Sequence, residues 1–328
     1  MKVKIKIIHK NQRKNLVFLY ITVGLVAFWI AVAVFLFFYK EPGSLYVYPE
    51  TVKQGDTVFI RVKSYLGNVT GEFENEKLIF SKTQNENEWV SFLGVDAVHN
   101  PGDYKIVVGI SGIKTLQKNI KVSLADFSKG VSAPAPSAAK TGITIETAIN
   151  NIKNKDNPVL QKVLDKSTEK PYFDSAFAFP LKKVEERGMS FGKFIEFAKI
   201  KIQHLGVDLR APKDTEIYSV NNGKVVLTAS LANYGKTIII DHGLDIFSLY
   251  LHLDKFSVEE GAMVKKGQLI GLSGETGYAT APHLHFSMRV DGARVNPIQF
   301  VTVTKKIDES FMLADITSAF LNVLNLAK

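Results

Sequence analysis

Asn15 to Tyr39 reads NLVFLYITVGLVAFWIAVAVFLFFY, twenty-five residues without a charged side chain. Such a run cannot be a surface element. About 20 apolar residues cross the hydrocarbon core of a bilayer, so this one can span it with some tilt. Tyr39 stands where an interfacial aromatic belt is expected. A cleaved signal peptide would have a shorter apolar core followed by a small-residue cleavage site. Here the run is followed by Tyr39-Lys40-Glu41-Pro42, which favours an uncleaved single-pass anchor. Lys2, Lys4, Lys6, Lys10, Arg13 and Lys14 precede the run with no acid among them. By the positive-inside rule that end stays in the cytoplasm and everything after Lys40 is exported.

The same six residues account for most of the formal charge of +9. The rest of the chain carries 35 basic residues against 32 acidic, a net of +3. A nucleic-acid-binding protein is expected to display basic residues on a folded domain, so no nucleic-acid partner is expected here. Cysteine is absent, which excludes disulfides and every thiolate metal site. The 328 residues suggest two or three domains, and 46% hydrophobic against 22% charged residues excludes wholesale disorder.

The exported part reads as mainly β. Between residues 45 and 125, LYVYP, TVFIRV, GEFENEKLIF, EWVSFLGV, GDYKIVVGI and NIKVSL are strand-like and separated by turn signals. They predict a small antiparallel β-sandwich acting as a spacer or docking surface. His99, beside Asn100-Pro101-Gly102, is expected to be a turn residue. Ser132 to Ser137 (SAPAPS) reads as a semi-rigid linker, and the linker region spans 126–171. Within it Ile145, Ile149 and Ile152 have helical spacing, and Pro158 is expected to split the helix into two pieces. A connector is the simpler reading, a helical hairpin or packed arm the alternative. Strands are expected again after Pro180, continuing to about Val303, within a further domain over 172–303. The last stretch, 304–328, predicts an amphipathic helix carrying Met312, Ile316, Phe320, Val323 and Leu324 on one face.

Five of the seven histidines fall within residues 204 to 285. In His283-Leu-His-Phe-Ser-Met-Arg-Val290, period-two alternation sends Leu284, Phe286, Met288 and Val290 to an apolar face and leaves His283 and His285 on the other. In Ile246-Phe-Ser-Leu-Tyr-Leu-His-Leu253 the same rule predicts Phe247, Leu249, Leu251 and Leu253 buried, with Ser248, Tyr250 and His252 facing a groove. His204 and Asp208 are four apart around Gly206, which disfavours helix; in an extended chain they share a face. Zinc takes nitrogen and carboxylate ligands, and a catalytic site keeps three of them plus a water. Histidine, aspartate and histidine make such a set without any thiol.

His204-Leu-Gly-Val-Asp208, Ile240-Asp-His-Gly243, Tyr250-Leu-His-Leu253, Val264-Lys-Lys-Gly-Gln-Leu-Ile-Gly271, Gly274-Glu-Thr-Gly277, Pro282-His-Leu-His-Phe286 and Val295-Asn-Pro297 together resemble the M23 metallopeptidases, the lysostaphin- and LytM-type endopeptidases of bacterial cell walls. The likeness covers about residues 172–303. It implies a mostly antiparallel β metallopeptidase domain with a groove, one Zn2+ ion, and hydrolysis of peptide cross-links or stem peptides of bacterial peptidoglycan. The membrane anchor and β-sandwich ahead of this domain also match a common layout among these proteins. That layout is in keeping with a place in the bacterial cytoplasmic membrane with the catalytic domain outside, and it has room for a regulatory protein partner. Carried over by position, His204, Asp208 and His285 are the implied zinc ligands. His252 and His283 are the implied catalytic pair.

The pattern has departures. Ser287 replaces the family's usual glutamate, Ala281 a usual glycine, and Lys193 stands in the region of a usual arginine. No tyrosine precedes His204 between Phe191 and Gln203. None removes an implied ligand. An inactive cell-wall-binding regulator on the same fold would have lost ligands, and this chain keeps all five residues. Val258 to Gln268 resembles half of a lipoyl-type carrier but lacks the modifiable lysine motif. His242 is expected to support a hairpin, and Asp241 and Asp254 to be surface or turn carboxylates.

Overall fold

The computed structural model describes residues 20–32, 43–65, 67–83, 87–111, 114–127, 142–166, 168–185, 190–197 and 200–309. The chain divides into a unit of Met1–Gly43 and a unit of Ser44–Lys328. In the first, residues 20–32 are helical, and their apolar side chains are largely exposed. No helix among the described residues is long and apolar enough to cross a membrane. The flanks of the expected span at 15–39 lie outside those residues, as do the basic tail, the Ser132–Ser137 linker and residues 310–328.

The second unit is mainly β, with few helices. Its N-terminal part is a sandwich of a four-stranded and a five-stranded sheet. Strand Thr57–Lys63 lies between Ser44–Tyr48 and Glu88–Gly94, antiparallel to both. Val58, Ile60 and Val62 alternate inward onto Leu78, Ile106 and Val108 of the opposing sheet. One pairing departs from the antiparallel expectation: Thr51–Lys53 runs parallel to Lys121–Ser123.

The intervening residue Phe59 leaves that core and joins Phe92, Phe177, Phe300 and Phe191 in the main cluster of the following β domain. The sandwich therefore packs directly on its neighbour. Polar clasps reinforce the contact. The Thr57 amide donates to Gln299 Oε1 at 2.9 Å, Gln299 Nε2 donates to the Thr57 carbonyl at 3.1 Å, and Arg294 pairs with Asp96. Gly94 sits so close to Val290 that a Cβ there would lie 2.2 Å from the Val290 carbonyl oxygen.

That second β domain is a nine-stranded antiparallel sheet. Its path runs Val207–Leu209, Leu284–Val290, Ile246–Phe256, Gly235–Asp241, Gly223–Leu231 and Met263–Val264. Off the path, Glu216–Tyr218 pairs Leu269–Ser273, and Ala293–Val295 pairs Leu284–Val290. Strands do not continue to Val303. Asn296 caps a helix over residues 297–309, its Oδ1 accepting the Ile298 amide at 3.0 Å. Phe300, Val301 and Val303 bury its inner face.

Residues 145–164 form one continuous helical arm rather than a hairpin. Thr144 caps it by accepting the Thr147 amide. A π-turn over Ile152–Asp156 takes up the irregularity before Pro158, which then stands in the first turn of Asn157–Leu164, where its missing N–H costs nothing. Leu160 packs on Leu227, Ile239, Phe247, Leu249 and Leu251, so the arm covers one face of the sheet. Asp156 pins it there. This carboxylate, 1% exposed, accepts the backbone amides of Ala232, Asn233 and Tyr234 at 2.9, 2.7 and 3.2 Å.

Candidate metal centre

Between the arm and the sheet runs a groove of about 1200 Å³. Its floor follows from the pairing of strand Leu284–Val290. Leu284, Phe286, Met288 and Val290 enter the main core as expected, so His283, His285, Ser287 and Arg289 face the groove. Antiparallel pairing puts Asp208 opposite His285 on one side and Leu251 opposite it on the other. His204 arrives from the end of strand Ile200–Gln203. Its backbone is clamped on both sides, by the Gly192 amide at 2.7 Å and the Lys193 carbonyl at 2.8 Å.

His252 reaches the groove by a different route from the expected one. Tyr250 is fully buried in the main core, and Ser248 is buried against His242. Phe247, Leu249 and Leu251 are buried as expected, but beneath the arm on the groove side of the sheet, so simple alternation would bury residue 252 in the main core. Register shifts flank this position in the pairings with Gly235–Asp241 and Leu269–Ser273, and His252 itself takes φ 61°. The bulge turns its imidazole back to the groove and returns Leu253 to the core. A non-glycine residue at positive φ stores strain that the surrounding sheet must hold.

Three donor atoms converge. His204 Nε2 lies 3.1 Å from Asp208 Oδ1 and 3.0 Å from His285 Nδ1, and His285 Nδ1 lies 3.0 Å from Asp208 Oδ1. The far side of each ring determines its tautomer. Ser287 Oγ donates to the Leu205 carbonyl at 3.1 Å, so it must accept from His285 Nε2–H at 2.9 Å. His285 Nδ1 is thereby bare. His204 Nδ1 faces the Ser190 carbonyl at 3.4 Å, which leaves Nε2 bare as well. Two imidazole lone pairs and a carboxylate oxygen then point at one another without a proton between them. That arrangement is repulsive unless a cation lies among them. Tetrahedral zinc with ligands at about 2.0–2.1 Å separates its donors by about 3.3 Å, close to the spacing observed. The residues fit the ion.

Burial opposes ionisation of Asp208, but hydrogen bonds and attraction from His204 and His285 when those rings carry the proton hold the carboxyl well below its usual range. A cation among the three would favour the carboxylate in the same way. Burial, reduced only in part by Asp208, pushes His285 down to about 4, so its ring is neutral, as a ligand must be. Gly206 closes the cradle: a Cβ there would lie 2.4 Å from both His285 Nε2 and Ser287 Oγ.

His252 and His283 stand beside this trio with ring centroids 4.9 Å apart. Each has its Nδ1 against a backbone carbonyl, Thr276 at 2.9 Å for His252 and Ala281 at 2.8 Å for His283. A carbonyl only accepts, so both Nδ1 atoms carry protons and both Nε2 atoms are free to take one. His283 Nε2 lies 3.6 Å from Asp208 Oδ1. Burial, followed by the neighbouring His283 and His285, pushes His252 down to about 3.

The five predicted residues thus gather in one groove, and the other two described histidines, His99 and His242, do not. His242 is fully buried between the Asn222 carbonyl and Ser248 Oγ, and burial pushes it down to about 4. It supports the hairpin, as expected. His99 packs in a turn against Phe73 and Tyr104. Asp254 is partly exposed, whereas Asp241, expected at the surface or in a turn, is buried at the end of strand Gly235–Asp241 and accepts from Thr168 Oγ1 and the Gly243 amide. The contacts that Thr276, Ala281 and Ser190 make with the histidine rings were invisible in the sequence because each uses its backbone carbonyl. Asp156 carried no motif.

Residues 202–297 match the family described as Peptidase family M23. Over 96 residues the chain is 42% identical to the peptidoglycan DD-endopeptidase ShyA of Vibrio cholerae, a match covering 29% of this chain and 22% of that protein. It is 35% identical over 107 residues to the DD-carboxypeptidase/endopeptidase Mpg of Neisseria meningitidis serogroup B, covering 33% and 25%. A crystal structure of a putative M23 peptidase from Pseudomonas aeruginosa aligns with TM-score 0.48 at 22% identity, over 71% of this chain and 87% of that one. The chain spans about a quarter of the length of these curated relatives. The matches support an M23 peptidase domain within the chain, and its His–Asp–His group is one that could hold a metal ion.

Proposed function

We propose that this chain is a zinc-dependent endopeptidase that hydrolyses peptide cross-links or stem peptides of bacterial peptidoglycan. The observation that carries the reading is the convergence of three proton-free donor atoms, on His204, Asp208 and His285, beside two further histidines with free Nε2 atoms. The 42% identity over 96 residues to a relative named as a peptidoglycan DD-endopeptidase supports the reading. An intact ligand set argues against an inactive regulatory scaffold.

The chain's own residues supply most of what hydrolysis needs. The groove binds an extended peptide between the arm and the strand floor. A bound zinc ion supplies a water of lowered pKa and an electrophile for the scissile carbonyl. His252 and His283, held by Thr276 and Ala281, present Nε2 to accept a proton from the attacking water and to return one to the leaving amine. Leu251, Leu249 and Phe247 line the floor with apolar surface that limits bulk water.

In the same reading residues 15–39 hold the N-terminus in the bacterial cytoplasmic membrane and the catalytic domain faces the cell wall. The uncharged run and the basic residues ahead of it support this placement. A regulatory protein partner is compatible with the arm beside the groove.

The test incubates full-length protein with defined cross-linked muropeptides, with and without a chelator. Cleavage that stops on chelation and returns with Zn2+ is expected. Failure to cleave any cross-linked substrate in the zinc-loaded state would defeat the enzyme reading.

A further inference from the structure

The groove continues past the histidines. Along strand Leu284–Val290 the groove-facing residues run His283, His285, Ser287, Arg289, and Phe247 is the cross-strand partner of Arg289. Phe247 lies under Leu160 of the arm, so Arg289 sits on the floor where the arm closes over the sheet. Tyr234 and Asn157 bound the same stretch.

This arginine clamps nothing. It is half-buried, and its guanidinium makes one hydrogen bond, from Nη1 to the Met288 carbonyl at 3.2 Å. Among the described residues no carboxylate forms an ion pair with it. The nearby Asp96 is committed elsewhere: both its oxygens accept from Arg294, at 2.9 Å from Nη2 and 2.9 Å from Nε, and one also accepts the Arg294 amide. Burial pushes Arg289 down to about 10, which still leaves it charged at neutral pH. The charge of Asp96 offsets burial only in part, and a partly desolvated cation with no ion-pair partner is unfavourable unless a ligand completes it. On the rim, Asn157 Oδ1 is taken by the Tyr234 hydroxyl at 2.9 Å, which leaves the Asn157 amide N–H groups as further donors.

We propose that Arg289 forms a carboxylate-binding subsite that receives an acidic group of the substrate peptide. The planar guanidinium fork matches a carboxylate in two parallel hydrogen bonds. Four strand steps separate Arg289 from His285, about 14 Å at about 3.4 Å per residue. An extended peptide covers that distance in about four residues. The bound group is therefore a carboxylate about four residues from the cleaved bond, not one at the bond itself. The subsite rests on the peptide-hydrolase reading for the identity of its ligand, but it needs no catalysis to bind.

The test separates the two. Full-length protein stripped of metal is titrated calorimetrically with a peptidoglycan stem peptide bearing free carboxylates, and with the same peptide converted to carboxamides. Wild type should bind the free acid roughly tenfold or more tightly, as charge-assisted hydrogen bonds predict. Arg289→Met should bind both forms alike, and Arg289→Lys should keep part of the preference because it retains the charge without the fork. Equal binding of both peptides by wild type, binding of neither, or an undiminished preference in a folded Arg289→Met protein would overturn the subsite. Zinc-dependent cleavage without discrimination would remove the subsite and leave the hydrolase. Carboxylate-dependent binding without cleavage would do the reverse.

Discussion

Proton positions at individual residues decide what this site can hold. Ser287 has one hydroxyl proton, gives it to the Leu205 carbonyl, and so compels His285 to present a bare Nδ1 to the cluster. Replacing Ser287 by alanine leaves the His285 Nε2–H without that acceptor. Metal affinity, read by competition with a chromophoric chelator, should fall about tenfold or more, in line with other groups that orient a ligand. Unchanged affinity would contradict the role. Asp291 offers a separate test on stability. Burial, then the charges of Asp245 and Glu76, raise its carboxyl to about 7. Its unfolded value is near 3.8, so the folded chain holds the proton more tightly between these values. Stability from this residue is fullest below about pH 4 and declines as pH rises through 7. Asp291→Asn keeps the shape and tolerates the φ of 52°. Its melting temperature should match wild type at pH 4 and exceed it at pH 8; a constant difference across that range would refute the assignment.

Elements bring those residues together with unequal visibility. The Leu284–Val290 strand was legible because one face is wholly apolar and the other polar, the pattern that alternation describes. The Ile246–Phe256 strand was not. Both its faces are buried, one by the core and one by the arm, so hydrophobicity carries no sign of which is which. The bulge at His252 has no sequence signature either. The arm's docking was equally hidden, since it depends on one carboxylate meeting three amides 76 to 78 residues away. Asp156→Ala should leave those amides unsatisfied and cost at least about 2 kcal/mol. Hydrogen exchange at Ala232, Asn233 and Tyr234 should accelerate with it. Protection at wild-type levels would show that the arm is held by its apolar face alone.

Across the Ser44–Lys328 unit, the sandwich and the nine-stranded sheet share one aromatic cluster. Phe92 contacts Phe59 on its own side and Phe173 and Phe300 on the other. Phe92→Ala should cost about 3–5 kcal/mol and lower the stability of both parts together, and calorimetry of wild type should show one transition for this unit. Two separate transitions would contradict that coupling. Strand character, the apolar N-terminal run and four of the five groove residues could be read from the chain because periodicity and side-chain chemistry are local properties. His252 enters the groove through a bulge that alternation does not describe. The third dimension alone chose which strand face meets the groove, turned residues 145–164 into its wall, and left Arg289 without an ion-pair partner among the described residues. Those outcomes depend on which distant surfaces meet, and burial is a property of the assembled molecule.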